Sequence, residues 1–278
     1  MPAAFSSFAE TVRSHDWPRY IATQFAPEKK RADLLTLYAF DAEIERITRR
    51  ASDPLPGEIR LQWWREVLQG ERADEGKSHP LGMAMLDLIH DHRLPLDAFD
   101  RYFEAQTFTL YHDAFPDTVS LEAWCGETSS AQIQMAAVIL DPPAANASAE
   151  AAGHGGVALA IAHILSHLPQ MRARGQCFLP LDLLSACGLD REGFVAGEDK
   201  SAMARALKAM AELGLDHFTK FTALAPRLHK SVKPAFLPIH VAPLFLKRVA
   251  ANPEKFHIVP VNPSQLRKFA SVIGAAFR

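Results

Sequence analysis

The chain has 278 residues, of which 48% are hydrophobic and 22% are charged. This composition is typical of a folded globular protein and excludes disordered and fibrous classes; the length allows one large domain or two small ones, and we expect one, spanning residues 1–278. The formal net charge of −2 excludes the chain-wide positive field that collects nucleic acid, so no nucleic-acid partner is expected.

Helical spacing of apolar residues dominates the chain after a lead-in over residues 1–16. It predicts helices over 27–50, 58–68, 81–90, 96–111, 121–140, 157–165, 201–228, 244–250 and 264–277, with short helical turns between 180 and 194. Polar residues predict a surface loop at 70–80 and an interhelical loop at 141–148. No alternating segment indicates a strand, so the predicted fold class is all-α.

The three cysteines, Cys125, Cys177 and Cys187, form no C-x-x-C pair and are odd in number. They indicate reduced thiols and neither a disulfide framework nor a zinc site. The first fifteen residues lack the uninterrupted apolar run of a secretory signal. No segment reaches the roughly 18 apolar residues of a membrane span, so we expect a soluble or peripheral protein.

The segment 156–180 carries the most specific motif in the chain. It resembles the second signature of the squalene/phytoene synthase family, G-x-A-L-Q-L-T-N-I-L-R-D-x-x-x-D, followed by an arginine-rich turn, G-R and Y-L-P. The matching residues are Gly156, Ala158, Leu159, Ile164, Leu165, Gly175, Leu179 and Pro180. The resemblance implies a single isoprenoid-synthase-type helical bundle around a central cavity.

In this family the second signature supplies aspartates that hold magnesium against the diphosphate of a prenyl substrate. In this chain the two aspartate positions fall on His167 and Met171, and the family's asparagine falls on His163. Mg²⁺ requires oxygen ligands, usually carboxylates, so these side chains cannot replace the aspartates.

The first signature of the family is a Y-A-F-C-R helix followed by D-D-x-x-D. Tyr38-Ala-Phe40 is intact, but the acidic positions fall on Glu45, Arg46 and Arg49, so one acid of three remains. The resemblance therefore implies the family's frame without its magnesium-binding chemistry, and we expect no cofactor.

Four further stretches, 43–46, 53–65, 124–130 and 178–182, resemble a narrower branch of the family. That branch includes a mitochondrial complex I assembly factor related to phytoene synthases, and it also keeps the helices and loses the aspartates. The resemblance extends from about residue 17 to the C-terminus. It implies a non-catalytic binding or assembly factor, with a lipid or isoprenoid ligand in its cavity and a protein partner in respiratory complex I biogenesis.

Two pairs of side chains could hold a metal ion, since each pair is one helical turn apart. His163 and His167 form the first pair, but no third ligand is evident, so we expect them to line the former active-site cavity. Asp41 and Glu45 form the second pair, and we expect them to lie on a solvated helix face. No metal site is predicted.

Basic residues near the motifs have two interpretations. Arg172 and Arg174 lie where the family's arginines contact diphosphate, so they either bind an anion or belong to a solvated loop. Arg60 and Arg65 are expected to pair with nearby acids. Cys177 is expected to be a small packing residue, because no base is specified beside it.

Two alternatives to the assembly factor stay open. The first is an active, magnesium-dependent prenyltransferase of the squalene or phytoene synthase type, with displaced ligands at Asp41, Glu43, Glu45 and Asp182. The second is a peripheral membrane protein whose apolar segment 236–246 lies on the bilayer. The expected location is the bacterial cytoplasm, with association with the inner membrane as the alternative.

Overall fold

The computed structural model describes residues 3–50, 53–111, 113–256 and 258–277; residues 1, 2, 51, 52, 112, 257 and 278 lie outside the described part. Within these ranges the chain is helical and contains no β-strand, which confirms the all-α class. None of the described helices is both long and apolar enough to cross a membrane.

The described part of the N-terminal half contains nine helices, several of which pack around one group of aromatic residues. They are α1 (Ala3–His15), α2 (Trp17–Thr23), α3 (Glu28–Arg50), α4 (Pro54–Gln69), α5 (Ala73–Ser78), α6 (Pro80–His92), α7 (Leu96–Phe108), α8 (Thr118–Cys125) and α9 (Ala131–Leu140). Phe40 on α3 lies at the centre of this group, within 6.1 Å of the rings of Trp64, Phe99, Tyr102 and Phe103. Edge-on contacts between these rings fix α3 against α4 and α7.

A five-residue π-helical segment, Gly126–Ser130, joins α8 to α9 without a break. The sequence predicted one regular α-helix over 121–140. The structure differs in that the π turn inserts an extra backbone residue into this helix. Such turns re-aim the side chains that follow them.

The C-terminal half is built around two long helices packed on each other. Its helices are α10 (Pro142–Asn146), α11 (Ala149–Ser166), α12 (Leu168–Ala173), α13 (Leu181–Ala186), α14 (Arg191–Ala196), α15 (Lys200–Leu224), α16 (Lys233–Phe236), α17 (Ala242–Ala251), α18 (Pro253–Phe256) and α19 (Gln265–Ala276). The interface of α11 and α15 is tight because Gly214 faces Ile161, at a distance where an added Cβ would lie 3.0 Å from the isoleucine methyl. Ile161 is fully buried there.

Three segments differ from their predictions because they form short helices. The lead-in forms α1, the expected loop at 70–80 contains α5, and the expected interhelical loop at 141–148 contains α10. Asp141 begins α10 by accepting a hydrogen bond from the Ala144 backbone N–H, a local cap that polar composition alone does not reveal.

The apolar segment 236–246 does not present a face to a bilayer. Phe236, Leu237, Ile239 and Leu246 are each at most 5% exposed, because the segment packs between α2, α11 and α19. The alternative in which this segment lies on a bilayer is therefore wrong, since its large apolar side chains are already used in packing.

Candidate functional site

A cleft of about 410 Å³ lies among α1 to α3, the π segment, α11, α12 and α19. Its lining includes the apolar residues Leu159, Ile164, Val241 and Phe245 together with charged and polar groups. Both family signatures reach this cleft, since α3 carries the first and α11 the second.

Asp41 on α3 is held by two partners at this cleft. It accepts a short hydrogen bond from the guanidinium of Arg19, and its other oxygen accepts one from the hydroxyl of Tyr102 at 2.5 Å. Burial works against the charge of Arg19, but Asp41 and Asp16 together raise the pKa of this guanidinium. Asp41 is only 5% exposed, so the prediction of a solvated face is wrong.

Glu45, one turn further along α3, is paired with His15 of α1, whose Nε2 lies 2.8 Å from a Glu45 carboxylate oxygen. Burial opposes the charge of Glu45, yet the nearby His163 and the hydrogen bond from His15 lower its pKa below the ordinary value. The same hydrogen bond raises the pKa of His15. Both acids therefore have protein partners, and a solvated face is wrong for Glu45 as well.

His163 and His167 line the cleft on α11 and at its end, with ring centroids 4.5 Å apart. His167 Nδ1 lies 3.1 Å from the His163 backbone oxygen and 2.9 Å from Ser166 Oγ. Burial lowers the pKa of His163, and burial with the neighbouring His163 lowers the pKa of His167 to about 3. Burial thus favours the neutral form of both imidazoles, and protein atoms already occupy Nδ1 of His167.

The remaining positions of the two signatures divide between the cleft and the surface. Met171 and Arg49 line the cleft, whereas Arg46 forms a short ion pair with Glu43 beside it on the surface of α3. Arg46 is therefore not brought to the site.

The two candidate anion-binding arginines point in different directions. Arg174 lines the cleft and donates a hydrogen bond to the backbone oxygen of Arg49 at 2.5 Å. Arg172 instead donates to the backbone oxygen of Val195 at 3.1 Å and lies over the ring of Phe194. Only Arg174 is placed where it could meet an anion in the cleft.

The structure adds polar residues to the site that the sequence did not single out. Thr128 and Ser129 of the π segment and Gln132 of α9 line the cleft, and Gln132 is 1% exposed. Within the described part of the chain, neither polar atom of the Gln132 carboxamide has a hydrogen-bond partner. The signal available was the stretch 124–130, which was matched to the family branch but not assigned a place in the cavity.

Lys268 of α19 brings a further cation to the rim of the cleft. Its ammonium group lies 5.6 Å from the ring centre of Phe245, and burial lowers its pKa. The cleft thus carries Arg49, Arg174 and Lys268, none of which forms an ion pair among the described residues.

The donor set does not suit the magnesium ions that the family resemblance implies. Of the four displaced carboxylates, Glu43 pairs with Arg46, and Asp182 accepts hydrogen bonds from Thr118 at 3.1 Å. Neither lies along the cleft, and Asp41 and Glu45 are engaged as described above. Among the described residues no group of three or more His, Cys, Asp and Glu side chains is arranged to hold a metal ion.

Two other predictions about individual residues agree with the structure. Arg65 is paired with Asp100 at 3.2 Å and Glu104 at 3.1 Å, as expected for a structural partner of nearby acids. The same expectation for Arg60 is not met, since Arg60 is exposed and forms no ion pair among the described residues. Cys177 is 1% exposed, and burial raises the pKa of its thiol to about 11, as expected for a packing residue.

The chain belongs to the squalene/phytoene synthase family, whose model matches residues 12–268. Among its relatives, the protein named NADH dehydrogenase (ubiquinone) complex I, assembly factor 6, from Rattus norvegicus is 25% identical over 243 residues, covering 86% of this chain and 72% of that protein. The protein of the same name from Homo sapiens is 24% identical over 244 residues, covering 87% and 69%.

Solved structures share the fold at lower identity. Squalene synthase HpnC from Alicyclobacillus acidocaldarius superposes with a TM-score of 0.72 at 17% identity, covering 90% of this chain and 94% of that one. A dehydrosqualene synthase gives a TM-score of 0.73 at 16% identity, covering 98% and 95%. These likenesses establish an isoprenoid-synthase-type helical bundle.

Proposed function

We propose that this protein is a non-catalytic member of its family that works as a binding or assembly factor in the biogenesis of respiratory complex I. The proposal places it in the bacterial cytoplasm, at or near the inner membrane. The observation that carries it is the composition of the cleft. Where the family's reaction needs carboxylates, the cleft presents His167, Met171 and Arg49.

The three acids that line the cleft, Asp16, Asp41 and Glu45, support the same conclusion, and Asp16 lies 3.5 Å from the guanidinium of Arg19. Asp41 is buried against Arg19 and Tyr102, and Glu45 is bonded to His15. Freeing Asp41 for Mg²⁺ would break its buried pair with Arg19, which costs about 3–5 kcal/mol. Freeing Glu45 would break its hydrogen bond with His15. These acids therefore do not provide the near-octahedral set of oxygen ligands that Mg²⁺ requires.

The relatives named complex I assembly factor 6 supply the second line of support. They match most of this chain, and the matched stretch includes both signatures. Fold alone does not decide function, so the proposed function is supported by the altered site together with the names of these relatives.

The proposal includes a ligand for the cleft. Its apolar lining residues, Leu159, Ile164 and Phe245, suit a lipid or isoprenoid chain, and the cations Arg174 and Lys268 suit an anionic group on that chain. In this proposal the protein binds such a molecule without cleaving it.

The reaction can be tested directly. The purified protein is incubated with farnesyl or geranylgeranyl diphosphate and Mg²⁺, and pyrophosphate release is measured beside an active squalene synthase of the same fold. We expect no release above the protein-free rate. Release at the rate of the active enzyme would establish the alternative, a magnesium-dependent prenyltransferase, and would overturn the non-catalytic proposal.

A further inference from the structure

The outer face of α19 carries an apolar stripe that the described part of the chain leaves largely uncovered. Leu266 is 76% exposed, Phe277 just after the helix is 81% exposed, and Phe269 is 38% exposed. With Ala270 and the half-buried Ile273, they recur at intervals of three and four residues. This spacing places them on one face of a helix.

The opposite face of α19 is already used for packing. Val272 is fully buried and joins Leu237 and Val241 in a small core cluster. The hydroxyl of Ser271 donates a hydrogen bond to the backbone oxygen of His240 at 2.5 Å. The helix is therefore held in a fixed orientation. At the edge of its second apolar face the ring of Phe269 lies 5.7 Å from that of Trp17 and the ring of Phe277 lies 6.1 Å from that of Phe25, while most of the surface of Leu266 and Phe277 stays exposed.

The part of the sequence that contains α19 is strongly basic. From residue 217 to residue 278 there are ten Lys and Arg residues and a single acidic residue, Glu254. Because the whole chain has a net charge of −2, the first 216 residues carry −11 and these 62 residues carry +9. Arg267 lies within α19 beside the stripe, and Lys247 is exposed on α17. The two helices are in contact where the ammonium group of Lys268 on α19 lies over the ring of Phe245 on α17.

An exposed apolar helix face next to a basic surface matches the chemistry of an anionic lipid bilayer. Apolar side chains enter the acyl boundary, while cations meet the negative headgroups. Nucleic acid would use the cations but would leave Leu266 and Phe277 in water.

We propose that α19 is the surface with which this protein docks on an anionic membrane. The cleft lies beside it, since Gln265 and Lys268 of α19 contribute to the cleft lining. Docking would therefore hold the rim of the cleft close to the lipid surface, from which a lipid could enter. This inference concerns a surface outside the cleft and holds whether or not the protein assists complex I assembly.

The test is co-sedimentation of the full chain with vesicles of phosphatidylcholine alone and of phosphatidylcholine mixed with phosphatidylglycerol. We expect binding to the mixed vesicles that is at least about tenfold stronger than binding to the neutral ones and that weakens as salt is added. The double variant Leu266→Ser, Phe277→Ser should bind the mixed vesicles at least about tenfold more weakly, since each position loses a large apolar side chain.

A matched control is available on α4, where Leu55 and Ile59 are both 62% exposed and one turn apart. The double variant Leu55→Ser, Ile59→Ser should bind the mixed vesicles as the wild type does. A further variant, Arg267→Glu, should reduce binding to the mixed vesicles and leave binding to neutral ones unchanged.

Three results would overturn the proposal. One is undiminished vesicle binding by the α19 variant, and another is equal binding to neutral and mixed vesicles. The third is a dimer that the α19 variant abolishes, with no vesicle binding by the wild type, which would assign the stripe to a second copy of the chain. None of these results bears on pyrophosphate release or complex I activity, so the proposed function is judged separately.

Discussion

Replacing Arg19 by Met tests whether the acids of the cleft are committed to the fold. Arg19 and Asp41 side chains are 10% and 7% exposed, so the substitution leaves a buried carboxylate whose main counter-charge is gone. The hydrogen bond from Tyr102 remains, but a neutral donor does not replace a guanidinium. Breaking a buried pair in this way costs about 3–5 kcal/mol of unfolding free energy.

Two comparisons isolate the cause of that loss. The double variant Arg19→Met, Asp41→Asn removes both charges, so it should recover a large part of the stability lost in the single variant. The variant Arg46→Met breaks the pair with Glu43 on the same helix, where the arginine side chain is 53% exposed. That change should cost less than about 1 kcal/mol, because water solvates the freed carboxylate.

Urea unfolding at pH 7, followed by tryptophan fluorescence, gives the three free energies. We expect Arg19→Met to be several times more destabilising than Arg46→Met. If the two variants were equally mild, Asp41 would be free to change partners, and it would again be a candidate ligand for a cation.

Two further predictions concern the second signature. The unfolded-state pKa of a histidine is about 6.5 and that of folded His167 is about 3, so the free energy of unfolding should fall by up to about 1.4 kcal/mol per pH unit as pH drops through this window. His167→Gln should show a shallower fall in urea titrations at several pH values, and an identical slope would contradict the assignment. Gly156→Ala places a Cβ 2.2 Å from Ser130 Oγ and should cost about 1–3 kcal/mol, whereas Gly153→Ala, with nothing within 4 Å, should be neutral or slightly stabilising. Equal melting temperatures for the two alanine variants would refute the close approach of α11 to the π segment.

The long helices were predictable because their apolar periodicity is local. The predicted helix at 27–50 agrees closely with α3, and that at 201–228 with α15. Helices α5 and α10 span six and five residues, which is too short for the apolar spacing to repeat, so they were missed.

The cleft was predictable only in part. The resemblance predicted that His163 and His167 line the cavity, and both line the cleft. The environment of Asp41, in contrast, depends on residues that are distant in the sequence. Arg19 is 22 positions away and Tyr102 is 61 positions away, on different helices. A one-turn spacing on α3 shows that Asp41 and Glu45 share a face, and it does not show whether that face meets water or protein.

The central claim is that the family's frame serves complex I assembly and not prenyl transfer. Deleting the gene in its host and measuring complex I activity beside isoprenoid products tests this claim most directly. We expect reduced complex I activity that the wild-type gene restores, with squalene- and phytoene-type products unchanged. Normal complex I activity together with loss of such a product would contradict the claim.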